Sequence, residues 1–406
     1  MNALVQSMEE LRNKKWGDGV YDLLSWFDTE RVRNARVLVV GAGALGNEVL
    51  KNLALFGVGN IYVVDYDTIE YSNLTRSILF REEDADKGLY KVDIAAKRIK
   101  EINHNINIHP IVGRLDSGVG LGLYKTMDVV IGCLDGQLAR VQLNRQCMRI
   151  GKTWVDGSIE NLKGVVRIFS PGESCYECEL PQSTKNIIYS RTSCADVAQR
   201  SISQGRIPTT PVIASIIGGV QTQEAMKILH KVHNNYSEFT PLGNRWFVYE
   251  GSHLSTNIYE AQLWSDNCPA HENWSDIVTV EQLGANMTVR QALQCLTDHL
   301  HCSQVEINLR NTRFVDKLVS KHDNRSYNVM CPEYKVSNFI EKIPELNCLM
   351  PGEINQRAYE NIDEEFPYQD LTLNDIGIPY WDIIQVCTNT GRFYVEMGAD
   401  KKHYDL

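Results

Sequence analysis

Four side chains fall into two pairs with the spacing of metal ligands. Cys175 and Cys178 form C-x-x-C, and Cys268 and His271 form C-x-x-H within DNCPAHENW. Two such pairs brought together would close a tetrahedral site of the kind structural zinc prefers. A single C-x-x-C arises as readily from two buried cysteines. Gly41, Gly43 and Gly46 stand in G-x-G-x-x-G spacing, and Asp65 follows about twenty residues on. Glycines let the backbone turn sharply toward a phosphate, the next helix offers unpaired N–H groups, and the acid accepts bonds from a ribose. Asp67, Asn73, Arg76 and Lys91 continue as a polar series with two cations, for which a dehydrogenase has no need. Asp135 ends the apolar run MDVVIGCL. An acid there would orient a divalent cation against nucleotide phosphates, or would cap the helix expected over 136–149. Cys194 lies in the polar stretch 181–211, either as an inert thiol or as a nucleophile whose pKa Arg191 and Arg206 would lower. Cys133 and Cys147 sit in apolar patterns and Cys295 on an expected helix, so they are weaker nucleophile candidates.

The elements around these residues follow from periodicity. Val37–Val40 reads as a buried strand, Val49, Leu50 and Leu53 mark an amphipathic helix, and Ile61–Val64 is a second strand. Strand, glycine turn, helix and strand make a βαβ nucleotide-binding unit, a pattern that does not choose between a dinucleotide and ATP. Further on, the patterns predict a helix over Ala85–Asn103 and strands at Ile108–Val112, Met127–Leu134, Thr153–Asp156 and Lys163–Phe169. The polar stretch 181–211 reads as a mobile crossing loop. Ile213–His230 is a long core or dimer helix, and Phe247–Glu250 and Ile258–Glu260 are short strands. After Trp274 come a strand in IVTVEQL, a helix over Thr288–His299 and strands in VEINLRN, SYNVM and FYVEM. NIDEEFPYQD reads as a solvated loop. Residues 2–13 look helical, and the aromatic segment 16–27 is expected to pack over the first strand or a partner subunit.

Composition narrows the class. The chain has 406 residues, enough for two folded units, with 41 Lys+Arg against 51 Asp+Glu and a net charge of −10. No basic block appears, which argues against a nucleic-acid partner. The opening residues do not read as a signal peptide and no apolar run reaches membrane-spanning length, so a cytoplasmic protein without a membrane partner is expected. In that compartment 11 cysteines point to thiols, metal ligands or a nucleophile before disulfides.

Three strings carry a resemblance: VVGAGALGNEVLKNLALFGVG, VVDYDTIEYSNLTR and KGLYKVDIAAKRIKEIN. With CLDGQLARVQLNRQC and WVDGSIENLKGVVRIFSPGESCYEC, they resemble the E1-like (ThiF-type) adenylating family over roughly 34–271. That family activates ubiquitin-like and sulfur-carrier proteins at their C-terminal carboxylate. The resemblance implies ATP across Gly41, Gly43 and Gly46, with Asp65 on the ribose and Asp67 beside it. It places Asn73, Arg76 and Lys91 on phosphates and Mg²⁺ at Asp135, with Arg140 following. Zn²⁺ is implied at Cys175, Cys178, Cys268 and His271, the imidazole replacing a thiol, and Gly136 stands where Asn is common. RIPTTPVIASIIGGVQTQEAMKIL is similar to the segment after a catalytic cysteine, making Cys194 the thioester nucleophile. The family's trans arginine has Arg12, Arg31 and Arg33 as candidates.

DLTLNDIGIPYWDIIQV resembles part of the C-terminal ubiquitin-fold domain that holds an E2-like conjugating enzyme. The expected fold is therefore α/β: a helical extension 1–34, a Rossmann-like adenylation domain 35–274 with crossover loop 181–211 and a zinc site, and a smaller α+β β-grasp domain 275–406. The expected activity is adenylation of a ubiquitin-like β-grasp protein, capture as a thioester and transfer to an E2-like enzyme, by a homodimer. The alternatives are activation of a sulfur carrier without a stable thioester, adenylation of a peptide or small metabolite, and a scaffold that only binds nucleotide.

Overall fold

The computed structural model describes residues 21–115, 117–191, 209–231, 240–262, 264–310, 312–349 and 351–404. The chain divides into two units. One holds the chain up to Gly113 with Thr126–Leu180 and Arg206–Glu272; the other holds Arg114–Lys125, Pro181–Gly205 and Asn273–Leu406.

The first unit is built on an eight-stranded sheet in the order β3-β2-β1-β4-β5-β6-β7-β8. Its strands are β1 (Arg36–Val40), β2 (Asn60–Asp65), β3 (Asn107–Val112), β4 (Val129–Gly132), β5 (Trp154–Glu160), β6 (Lys163–Phe169), β7 (Arg245–Glu250) and β8 (Ser255–Glu260). The first five in sheet order are parallel, and β6, β7 and β8 add antiparallel. Val37 to Val40 and Val129 to Ile131 are fully buried, as continuous apolar runs must be when helices cover both sheet faces. The unit's helices of six residues or more are α1 (Thr29–Asn34), α2 (Ala44–Phe56), α3 (Lys91–Ile102), α4 (Gln137–Arg149) and α5 (Pro211–Lys231) among the described residues. Leu45, Val49, Leu50 and Leu53 of α2 share one core with Ile213, Ile217, Met226 and Leu229 of α5, so α5 is a core helix.

Three expected elements differ. NIDEEFPYQD, expected as a solvated loop, carries the short strand Asn361–Ile362 and buries Ile362 and Phe366 in a core. The helix expected over Ala85–Asn103 breaks, with a separate short helix at Glu82–Asp86 and α3 starting only at Lys91. The intervening Lys87–Tyr90 lets Ile69 donate to the Leu89 carbonyl at 2.8 Å, zipping this stretch to the loop after β2. The loop expected from Pro181 is helical over Gln182–Arg191. Residues 2–13, Arg12, Cys194 and Arg206 lie outside the described residues.

In the second unit α6 (Val289–Leu300) packs into a core shared with a five-stranded sheet of order β14-β10-β15-β16-β9. Its strands are β9 (Val278–Val280), β10 (Val305–Asn308), β14 (Asn361–Ile362), β15 (Ile383–Thr388) and β16 (Gly391–Met397). Thr288 caps α6 in a capping box with Gln291, and the first and last strands, β9 and β16, pair in parallel. Between β10 and β14 a separate antiparallel sheet, β12-β11-β13, is made by β11 (Phe314–Ser320), β12 (Ser326–Pro332) and β13 (Ile354–Tyr359). It has its own small core of Val315, Leu318, Val329, Val336 and Leu346. Residues 114–125, within the region the sequence assigns to the adenylation domain, group with this unit. There Leu121 N–H donates to Asp382 at 2.9 Å, Gly122 N–H donates to the Trp381 carbonyl at 2.9 Å, and Lys125 pairs with Glu396 at 2.7 Å. No described helix is long and apolar enough to cross a membrane.

Candidate functional site

Parallel register brings the glycine turn, Asp65 and the approach to Asp135 to one edge. Val40 pairs with both Val64 and Gly132, so β1, β2 and β4 end level. Strand order reverses between β1 and β4, the switch point where open α/β sheets leave a crevice. Gly41 turns there with φ +97°, and a Cβ on it would overlap the Cys133 carbonyl; one on Gly46 would overlap the Gly41 carbonyl. The turn therefore runs too close to the chain leaving β4 at Gly41, and too close to α2 at Gly46, for side chains at these two positions. A Cβ at Gly43 would meet nothing within 4 Å, so open space lies over the start of α2, where N–H groups point outward. The donor set and that space fit a nucleotide phosphate.

Asp65 organises the turn. One carboxylate oxygen accepts from Ala42 N–H and the other from Asp67 N–H, each at 2.8 Å. Burial pushes its pKa up, with Lys91 and these two N–H groups opposing. Lys91, at the start of α3, is buried and its ammonium lies 2.7 Å from Asp67. Asn73 is buried and accepts Glu70 N–H at 3.0 Å, which leaves the donor half of its amide for an anion. Arg76 is partly exposed and donates to the Ser72 carbonyl at 2.6 Å. Asp135 is exposed on the bend between β4 and α4. It does not cap α4: the N-cap is Gly136, with no side-chain bond.

Two buried polar groups outside the motif residues support the site. Asn47, fully buried in α2, donates to the Ala42 and Gly43 carbonyls at 2.8 and 3.0 Å and accepts Leu79 N–H at 2.8 Å. It ties the glycine turn to the segment after Arg76. A polar residue directly after the third glycine, on a helix turn that packs against strands, is its signal in the sequence. Asp156, also fully buried, joins Arg140 at 2.9 Å to Arg167. Burial alone would raise its carboxyl pKa, but the two guanidinium groups hold it below the ordinary value. Arg140 also donates to the Leu134 carbonyl, fixing the backbone one residue before Asp135.

The cysteine and histidine pairs meet. Cys175 stands at the N-cap position of the one-turn helix Tyr176–Glu179 and Cys268 at that of the 3-10 turn Pro269–His271, and three-residue spacing turns both members of each pair to the same side. Cys175 Sγ lies 3.8 Å from Cys178 Sγ and 3.7 Å from Cys268 Sγ, and Cys178 Sγ lies 3.4 Å from His271 Nε2. All four ligand atoms fall within 4.8 Å of one another. Tetrahedral zinc, with bonds of about 2.3 Å to sulfur and 2.0–2.1 Å to nitrogen, requires edges of about 3.8 and 3.5 Å. A disulfide would need about 2.05 Å. The group therefore fits a metal, and its cysteines are unbridged. Arg145 clamps Glu177 with two bonds of 2.8 Å, and Asn144 accepts Tyr176 N–H at 3.2 Å, anchoring the C-x-x-C turn to α4. Burial pushes the neighbouring Glu179 up to about 7, against Arg167 and the Trp246 indole N–H.

The weaker thiols and the arginine candidates also have places. Cys133 and Cys147 are buried, which raises their pKa far above a nucleophile's range, and burial likewise raises Cys295. Arg31 donates from Nε to the Leu229 carbonyl at the end of α5, a contact within its own chain. Arg33 is exposed.

A sheet whose parallel half carries a glycine turn at its switch point, together with a cysteine–histidine frame, defines the class. The family model described as "ThiF family" matches residues 20–270, well over half of the chain, and the chain belongs to that family. It is similar to ubiquitin-like modifier-activating enzyme 5 of Dictyostelium discoideum, 32% identical over 50% of this chain and 54% of the relative. The NEDD8-activating enzyme E1 catalytic subunit of Schizosaccharomyces pombe is 37% identical over 38% of this chain and 36% of its own. The molybdopterin-synthase adenylyltransferase of Escherichia coli is 33% identical over 49% of this chain and 75% of its own. The chain thus spans about half or less of the two activating enzymes.

Proposed function

We propose that this protein adenylates the C-terminal carboxylate of a ubiquitin-like β-grasp protein, takes the acyl group onto Cys194 as a thioester, and passes it to an E2-like conjugating enzyme. The observation that carries the first step is the convergence of Gly41, Asp65 and the Asp135 bend at the switch point of a parallel sheet. ATP would lie over Gly41, Gly43 and Gly46 with its ribose at Asp65. Lys91, Arg76 and the Asn73 amide would bind phosphate oxygens, with Lys91 released from Asp67. Asp135 is offered to Mg²⁺, whose contribution when bound is to offset phosphate charge. The carboxylate oxygen attacks the α-phosphorus and pyrophosphate leaves; the cations stabilise the charge that develops. The Cys194 thiolate then attacks the acyl carbon and AMP leaves. Cys175, Cys178, Cys268 and His271 would hold zinc as a closed structural site, since four protein ligands leave no open position.

Two features support the later steps. The second unit, with a helix on a mixed sheet and parallel first and last strands, is consistent with a ubiquitin-fold module that receives the conjugating enzyme. The two relatives named as activating enzymes favour the thioester route. The adenylyltransferase of E. coli, most of whose length aligns, favours the second reading, activation of a sulfur carrier without a stable enzyme thioester. A cytoplasmic homodimer fits both.

The test is incubation with ATP, Mg²⁺ and small β-grasp proteins from the same source, read on a non-reducing gel and by pyrophosphate exchange. A thiol-sensitive adduct lost in Cys194→Ala is the expected result. Exchange without any adduct would select the second reading, and an adduct that persists in Cys194→Ala would sink the assignment of that cysteine. Zinc is checked separately by elemental analysis and chelation. Stripping it should lower the melting temperature by about 10 °C, the shift that about 3 kcal/mol makes in a unit of this size.

A further inference from the structure

The histidine in the metal frame poses a geometric problem that a fourth cysteine would not. A thiolate sulfur can bind metal from many directions, whereas an imidazole nitrogen offers one lone pair in the ring plane. The ring must be held so that this lone pair aims at the ion. Proteins ordinarily do so by bonding the other ring nitrogen to an acceptor. His271 lacks that device: its Nδ1 is buried with no hydrogen-bond partner among the described residues, while Nε2 faces Cys178. Instead the indole of Trp264 lies on the imidazole face, ring centroids 3.5 Å apart and planes within 20°. Trp264 is itself fixed, its indole N–H donating to Asp266 at 2.9 Å. The intervening chain is held by Cys268 N–H donating to the Ser265 carbonyl at 3.1 Å. Trp264 is 42% exposed, so core packing alone does not account for so large a ring at this place.

We propose that Trp264 is a positioning residue for the metal centre: by stacking on His271 it sets the imidazole plane and aims Nε2 at the ion, replacing the usual hydrogen bond to Nδ1. This rests on the zinc reading above. The stack acts only on a ring ligand, so its effect must vanish when the ligand is a thiolate.

The experiment uses the whole 406-residue chain and measures zinc release to a colorimetric chelator, with visible spectra of the cobalt-substituted form as a second readout. Trp264→Ala should release zinc at least tenfold faster, the lower end of what lost orienting partners cost, and should alter the cobalt bands. Trp264→Phe, which keeps a stacking face, should stay near wild type. In a His271→Cys background, Trp264→Ala should change neither rate nor spectrum. Equal release by wild type and Trp264→Ala would overturn the proposal while leaving the zinc reading intact. So would an acceleration of the same size in the His271→Cys background, because Trp264 would then be merely structural. A protein that takes up no zinc on titration would remove the zinc reading and the proposal with it.

Discussion

Asp156 shows how much one buried carboxylate can hold at the residue scale. It has no exposed surface and faces Arg140 and Arg167 together. Asp156→Asn leaves two buried guanidinium groups facing a neutral amide, and the expected loss is about 3–5 kcal/mol in urea unfolding at pH 7. The pH dependence has a defined sign. The carboxyl pKa is depressed in the folded protein, so its stabilisation is present above the unfolded value of about 3.9 and is lost as pH falls through the folded value. The gap between wild type and Asp156→Asn should therefore narrow in acid. Lys91 is the second case. If its role were only the ion pair with Asp67, Asp67→Asn and Lys91→Ala would lose the same activity. A phosphate-binding role predicts instead that Lys91→Ala lowers pyrophosphate exchange about 10²–10³-fold, with Asp67→Asn much milder.

At the scale of elements, the glycine turn is the piece that cannot be rebuilt. Gly46→Ala would drive a methyl into the Gly41 carbonyl, and α2 would have to move off β1. A cost of about 1–3 kcal/mol is expected from such overpacking, and nucleotide affinity, measured by calorimetry, should fall together with the melting temperature. The strand–turn–helix–strand order here was legible because each element carries its own period and the glycines punctuate them. The start of α3 was not. Lys87–Tyr90 leaves the helix because Leu89 and Asp67 take backbone bonds across the loop, with Lys91 N–H donating to the Asp67 carbonyl at 3.0 Å. β11 was missed for a related reason. FVDKLVS carries a register shift between Val315 and Lys317 and buries Asp316 against Arg357, so its alternation is broken.

On the scale of the whole molecule, the second unit is not one stretch of chain. Residues 114–125, contributed between β3 and β4, are bound within it through Trp381, Asp382 and Glu396. Asp382 is 6% exposed and also accepts from Arg310 at 3.1 Å, so Asp382→Ala strips two elements of a buried acceptor. Unfolding of the variant of the 406-residue chain should show this unit destabilised by about 3–5 kcal/mol. The residue types of the nucleotide turn, the ligand spacing of Cys175 and Cys178 and of Cys268 and His271, and the acidic balance were decided by the sequence alone, because each is a local pattern or a sum. That the two ligand pairs, 93 residues apart, close on one another was decided only in the tertiary structure. So were the stacking of Trp264 on His271, the pairing of Arg140 and Arg167 on Asp156, and the transfer of residues 114–125 to the second unit. These contacts come from packing between segments distant in the chain, and no period or spacing within a segment encodes which distant neighbour it will meet.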